Sequence, residues 1–133
     1  MRVLFLIFIF SMTLTASEYA VITSSKSTIS ELSSKQVKDI FMMKLHYIDD
    51  VKVIPINASA SAAIRQEFEK NVLKTDRQRL NNYWIKQHFQ GISPPVTQPS
   101  IQSVKMFIKN VNGTIGYIPM DMVDPDVRVL YEF

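Results

Sequence analysis

The sequence predicts an α/β domain in which a mixed sheet is flanked by helices. Two observations predict this fold class. Short, apolar, β-prone segments alternate along the chain with segments whose apolar residues recur at helical spacing. The alternation runs through most of the chain, which contains no internal repeat and no low-complexity segment. Elements in this order favour a sheet with helices packed against it.

The first residues of the chain have the three parts of a secretory signal peptide. Arg2 makes the start positive, residues 3–10 are an unbroken apolar run, and residues 11–17 are mostly small and polar. The run is far shorter than the ~20 residues of a membrane-spanning helix, which favours a signal peptide over a membrane anchor or a buried strand. We predict cleavage after residue 16 or one residue later, which gives a signal peptide at 1–16 and a domain at 17–133.

Composition restricts the class of the remaining domain. The chain has no cysteine, which excludes a disulfide framework and a lipid-modified cysteine at the signal junction. A hydrophobic content of 47%, with eight Phe and five Tyr, supports a core and argues against disorder. The net charge of +3 comes from basic residues interleaved with acidic ones, so no nucleic-acid partner is predicted. We expect a soluble exported protein that does not span the membrane after cleavage.

The helices are predicted from capping signals and helical spacing. Ser33 with Gln36, and Thr75 with Gln78, have the spacing of capping boxes. Gly91 is placed to end the third helix, because it tolerates a left-handed backbone. The predicted helices are 34–43, a helix with Ile64, Phe68 and Val72 on one face, a helix from 75 to about 90, and 101–111.

The strands are predicted from short β-prone runs, and the loops from polar and proline-rich segments. Pro55 indicates that its strand lies at a sheet edge or ends there. Residues 44–50 are predicted to be a loop, as are residues 93–99, which contain three prolines. The predicted strands are 19–23, 51–56, 114–118 and 127–131.

Several segments, taken in order, carry a family pattern. Leu followed by Ile-Phe lies in 32–44 (LSSKQVKDIFMMK), and the strand VIPIN leads into 61–68 (SAAIRQEF). Tyr-Trp followed by Phe-x-Gly lies in 81–91 (NNYWIKQHFQG), and Gly-x-Ile-Gly-Tyr lies in 112–119 (NGTIGYIP). Together they resemble the periplasmic phosphate-binding proteins of ABC transporters. Members of this family have two lobes that hold the anion between them, and this chain is about half as long. The resemblance therefore implies a type II periplasmic-binding-protein fold in a short, single-lobe form.

The turn at 57–61 and Arg65 form the predicted ligand site. The turn joins a strand to a helix, and the free N–H groups and dipole of a helix start favour an anion. Arg65 can add a forked, charge-assisted contact. The alternative is that Ser59 or Ser61 is only the helix N-cap and Arg65 only a surface residue. The candidate ligand-binding residues are Asn57, Ser59, Ser61 and Arg65.

The ligand loop of the family, a Ser-Gly-Thr-Arg-like run, is only partly kept. With Phe68 as the reference, its Ser, Gly and Thr fall on Ala62, Ala63 and Ile64, and only Arg65 matches outright. Two hydroxyl donors are therefore missing, and Ala63 restricts the close backbone approach that glycine allows. Because burying an unpaired charge is costly, a site with so few donors binds phosphate weakly or needs a second protein.

Other constellations in the sequence favour structural roles. Four aromatic residues could form a stacking platform for a sugar or a peptide, but core positions are favoured at these spacings: Tyr83, Trp84, Phe89 and Tyr117. His46 with Asp49 and Asp50 could bind a metal, but a solvated loop is favoured because the two His of the chain have no metal-site spacing. No catalytic motif frames a nucleophile and a base. We predict no enzyme activity, no metal and no cofactor.

Two functions are expected from this reading. The first is a binding protein of a Gram-negative periplasm that recognises inorganic phosphate or a similar oxyanion, in the service of an ABC transporter. The second is an interaction or sensory module that has lost ligand binding and docks on a membrane transporter or receptor protein. The resemblance implies the first function, whereas Ala62, Ala63 and Ile64 favour the second.

Overall fold

The computed structural model describes residue 11 and residues 16–133. The predicted signal peptide at 1–16 lies, apart from residues 11 and 16, outside the described residues. A 3-10 turn, Met120–Met122, separates the last two strands. The other elements, in chain order, are β1 (Tyr19–Ser24), α1 (Ser34–Phe41), β2 (Tyr47–Ile48), β3 (Val51–Lys52), β4 (Ile54–Asn57), α2 (Ala63–Asn71), α3 (Arg77–His88), β5 (Val96–Thr97), α4 (Ile101–Asn110), β6 (Thr114–Pro119) and β7 (Val127–Glu132).

The main sheet is mixed, as the sequence predicts. It has the strand order β5-β4-β6-β1-β7. Strand β4 pairs in parallel with β5 and β6, and β1 pairs antiparallel with β6 and β7. The parallel pairs are connected through helices, because a parallel connection needs a crossover, and the helices cover the sheet. The predicted α/β architecture of a mixed sheet flanked by helices is confirmed.

Helices cover both faces of the sheet, and side-chain alternation decides which residue meets which helix. On β1, Val21 packs in the core that contains α1, α2 and α3 residues, whereas Ala20 and Ile22 pack with α4. On β6, Tyr117 and Ile118 divide in the same way. Successive strand residues point to opposite faces, so two buried layers form on one sheet.

Phe68 lies at the centre of the larger core. Its ring stacks on Tyr117 with 4.1 Å between ring centroids and an interplanar angle of 11°. It makes edge contacts with Phe41 at 4.7 Å and with Phe133 at 5.5 Å. Since Phe68 belongs to α2, this packing fixes the helix that starts at the predicted ligand loop.

Capping explains where the helices begin. The predicted capping box is confirmed at α1: Ser33 Oγ accepts from Gln36 N–H, and the Gln36 side chain accepts from Ser33 N–H. The predicted box at Thr75 and Gln78 is wrong, because the N-cap of α3 is Asp76, whose carboxylate accepts from Arg79 N–H at 2.8 Å. A carboxylate at this position satisfies a free N–H and favours the positive end of the helix dipole.

The predicted strand at 51–56 is in fact two strands, β3 and β4. Val53 N–H donates to the His46 carbonyl at 2.9 Å, in the hairpin formed by β2 and β3. Ile54 N–H donates to the Gly113 carbonyl at 2.9 Å, beside the main sheet. The backbone therefore changes its hydrogen-bonding partner between these residues, which divides an apolar run that is continuous in sequence.

Two predicted loops contain short strands. Residues 44–50 include β2, which pairs with β3, and residues 93–99 include β5, which pairs with β4. Each has only two residues, too few for an alternating pattern to show in the sequence. Strand β4 lies between β5 and β6, so the prediction that Pro55 marks a strand at the sheet edge is wrong. Pro55 is tolerated near the start of β4 because β5 pairs only with residues 56 and 57 and does not extend to it. Within residues 16–133, none of the helices is long and apolar enough to cross a bilayer.

Candidate functional site

The predicted ligand loop lies at the carboxyl end of β4, a parallel strand of the main sheet. After Asn57 the chain makes a turn in which Ala62 N–H donates to the Ser59 carbonyl at 3.0 Å, and α2 begins at Ala63. In open α/β sheets, ligands bind outside the carboxyl ends of parallel strands. The loop is therefore at the position in the sheet where a small solute is expected.

The start of α2 has no side-chain cap. Its N-cap is Ala62, whose side chain has no oxygen to accept from the first N–H groups of the helix. Among the described residues, the N–H groups of Ala63 and Ile64 have no acceptor. Ser59 and Ser61 are not N-caps, which corrects the alternative given above; their hydroxyls lie 3.2 Å from each other instead. Free N–H groups and the positive end of the helix dipole thus meet in this loop.

Asn57 is buried and fixes the beginning of the loop. Its Oδ1 accepts from the Tyr117 hydroxyl at 2.9 Å, and the same hydroxyl oxygen accepts from Ala58 N–H at 3.3 Å. Burial, which outweighs the opposing effect of the nearby Arg65 charge, raises the pKa of Tyr117 well above its usual range, so the phenol remains a donor. The oxygen of Asn57 is engaged within the protein, which leaves its amide nitrogen as the group that can meet a ligand.

Arg65 lies beside the loop but is largely enclosed. Its Nη1 donates to the Ala58 carbonyl at 2.8 Å, and its Nε is 3.4 Å from Glu69 Oε2. Only 13% of the Arg65 side chain and 5% of the Glu69 side chain are exposed. A guanidinium has five N–H donors, so these contacts leave several for another acceptor.

Arg77, the first residue of α3, contacts the loop and was not predicted from the sequence as a site residue. Its Nη2 donates to the Ala60 carbonyl at 2.9 Å and lies 2.7 Å from Glu69 Oε1, and its Nε donates to the same oxygen at 2.9 Å. Two guanidinium groups therefore share one buried carboxylate next to the loop. Asp76 is the sequence signal that could have indicated Arg77. An N-cap at Asp76 makes Arg77 the first residue of α3.

The predicted site residues therefore fall into two groups. Ser59 and Ser61 lie next to each other in the loop, and Arg65 lies in the first turn of α2, largely enclosed, with its Nη1 on the Ala58 carbonyl. Asn57 lies beneath them in the core, attached to Tyr117.

The four aromatic residues do not form one platform. Tyr117 is fully buried in the core, as favoured from the sequence, and Tyr83 and Trp84 pack against that core with 4.9 Å between their ring centroids. Phe89 is the exception, because 84% of it is exposed. Within residues 16–133, no three His, Cys, Asp or Glu side chains, including His46 and its neighbours, are grouped to hold a metal ion.

Comparison with known proteins identifies the fold. No protein-family model and no curated protein matches the sequence. A phosphate ABC transporter substrate-binding protein with bound phosphate, from Clostridium perfringens, matches with a TM-score of 0.70 and 18% identity over 86% of this chain and 44% of that one. An ABC-type phosphate transport receptor from Vibrio cholerae matches with 0.69 and 17%, over 86% and 45%. PstS from Borrelia burgdorferi matches with 0.64 and 14%, over 86% and 46%.

The three matches share one size relation. This chain spans less than half the length of each of these proteins. The resemblance to the family is thus confirmed at the level of fold. The chain has the α/β fold found in part of the substrate-binding proteins of phosphate ABC transporters.

Proposed function

We propose that this protein is a solute-binding domain that holds inorganic phosphate or another small oxyanion at the loop of residues 58–62 and the start of α2. The observation that carries the proposal is the uncapped start of α2, where Ala63 and Ile64 present N–H groups without an acceptor among the described residues. Ser59 and Ser61 add hydroxyl donors, and Arg65 adds positive charge. Backbone N–H groups and a helix dipole are the usual means of binding such an anion.

The fold supports the same proposal. A protein of this fold was solved with bound phosphate, and the loop lies at the carboxyl end of a parallel strand. In keeping with the predicted signal peptide, the protein would act in the periplasm and deliver its solute to an ABC transporter. It would perform no chemistry on the solute.

Titration with inorganic phosphate tests this proposal. We expect heat of binding and a rise in melting temperature for the purified protein, because phosphate at 100 times its Kd stabilises the fold by about 2.7 kcal/mol. In Arg65→Ala we expect phosphate to bind at least tenfold more weakly. The matched control is Arg79→Ala, which removes an exposed arginine that pairs with Asp76 and not with the loop, and should bind as the original protein does.

Two outcomes would contradict this proposal. If millimolar phosphate and sulfate produce neither heat nor thermal stabilisation, the loop does not hold an oxyanion. If phosphate binds with the same Kd in Arg65→Ala, the anion lies elsewhere on the protein.

A second candidate function, docking on a membrane protein, is favoured by an exposed apolar surface. Phe89 at the end of α3 and Ile85 one turn before it are both exposed, and Val96 of β5 is exposed as well. Pro94 lies between Phe89 and the segment that leads to Val96. Apolar side chains grouped in this way on a surface often mark a contact with another protein.

Recovery of a membrane-protein partner tests the second candidate. The purified protein, added to solubilised membranes, should retain a transporter or receptor that Phe89→Ser fails to retain. The control is Lys35→Ser, which changes an exposed residue of α1 on another part of the surface. Equal recovery by the protein and by Phe89→Ser would exclude docking through this surface.

A further inference from the structure

Two arginines, and not one, bracket the loop that the proposed function assigns to the anion. Arg65 donates to the Ala58 carbonyl and Arg77 donates to the Ala60 carbonyl, so the guanidinium groups are attached on either side of Ser59. The carbonyls are two residues apart, whereas the arginines come from different helices. The loop backbone is thus held between α2 and the start of α3.

Glu69 holds the two guanidinium groups next to the loop. Its Oε1 accepts from Nε of Arg77 and lies 2.7 Å from Nη2 of the same residue, and its Oε2 faces Nε of Arg65 at 3.4 Å. Oε2 has no hydrogen bond within the described residues, so Arg77 is the partner that binds this carboxylate firmly. The pairing uses Nε and Nη2 of Arg77 and leaves its Nη1 without a partner in the part of the chain described.

The charges of this group do not cancel. Arg65 and Arg77 carry two positive charges and Glu69 one negative charge, and the N-terminal end of the α2 dipole adds to the positive side. The Arg77 side chain is 41% exposed, compared with 13% for Arg65. The more accessible guanidinium is therefore that of Arg77, which has no counterpart in the loop motif that resembles the family.

We propose, on the basis of the proposed function, that Arg77 is a second cationic ligand of the oxyanion. The Arg77 guanidinium lies at the turn, because its Nη2 donates to the Ala60 carbonyl, so its charge would act on an anion held by the first N–H groups of α2. One bound monoanion would neutralise the remaining positive charge. Two arginines on one anion would also offset the hydroxyl donors that Ala62 and Ile64 lack, because charge-assisted hydrogen bonds are stronger than neutral ones.

Phosphate titration of three variants tests the role of Arg77. Arg77→Gln should weaken phosphate binding at least tenfold, and Arg77→Lys should recover part of that loss because it restores the charge. The matched control is Arg79→Gln, two residues further along α3, which should change the Kd by less than twofold. Melting temperatures without phosphate show whether each variant remains folded.

Glu69→Gln separates ligand contact from structural support. Glutamine keeps an oxygen for Arg77 but removes the negative charge, so we expect phosphate to bind at least as tightly as in the original protein even if the melting temperature falls. If Glu69→Gln loses phosphate as Arg77→Gln does, Arg77 acts by holding the loop and the inference is wrong. If the original protein binds phosphate and Arg77→Gln binds it equally, the inference is wrong while the proposed function stands. If the original protein binds no phosphate, both fail.

Discussion

Replacing Phe68 with alanine is expected to lower the free energy of unfolding by about 3–5 kcal/mol, a large part of the stability of a small domain. Phe68 is fully buried and its ring contacts Tyr117, Phe41 and Phe133. Removing the ring leaves a cavity between α2 and the sheet and ends three aromatic contacts. Urea unfolding followed by circular dichroism measures the change as a lower midpoint with an unchanged slope.

The chain supplies a matched control for this substitution in Phe89. The same change, Phe89→Ala, removes a ring that is mostly exposed at the end of α3. We expect it to alter the free energy of unfolding by less than about 0.5 kcal/mol. If the two variants lose similar stability, the core is not organised around Phe68.

Replacing Gly113 with alanine is the second substitution with a large expected effect, about 2–5 kcal/mol of lost stability. Gly113 follows α4 with a φ of +81°, a backbone conformation that costs any residue with a Cβ. A Cβ here would also lie 2.4 Å from the Lys52 carbonyl oxygen, which is backbone and cannot rotate away. Since Gly113 accepts from Ile54 N–H, moving it would disturb the start of β4.

Gly91 distinguishes the cost of the left-handed backbone from the cost of the contact with the Lys52 carbonyl. It follows α3 with a φ of +77°, and nothing lies within 4 Å of the position that its Cβ would take. Gly91→Ala should therefore cost only the left-handed conformation, about 1–2 kcal/mol. Thermal and urea unfolding of both variants would show the difference, and equal losses would mean that contact with Lys52 does not restrict the backbone.

Most helices and the long strands were predicted because their signals lie within a few residues of each other. The Ser33–Gln36 capping box and the spacing of Ile64 and Phe68 are examples, since a turn of helix brings residues three or four apart together. The errors at β2, β3 and β5 arose where two residues form a strand only because another segment pairs with them.

The candidate site was predicted in part. The small-residue turn between β4 and α2 showed where an anion could meet a helix start, and Arg65 was placed beside it. The sequence did not show that Asn57 would be engaged by Tyr117, which is 60 residues away. Nor did it show that Ala62, and not a serine, would be the N-cap, because the turn at Ser59 delays the start of the helix.

The sequence by itself determined the fold class, most element boundaries and the loop in which a ligand could lie, because these depend on local spacing and on which residues begin or end a helix. Only the tertiary structure decided which charges surround that loop. Arg77 reaches the Ala60 carbonyl across 17 residues of chain, and its guanidinium shares Glu69 with Arg65. Such a contact depends on how α2 and α3 pack against the sheet, and no pattern of neighbouring residues encodes that arrangement.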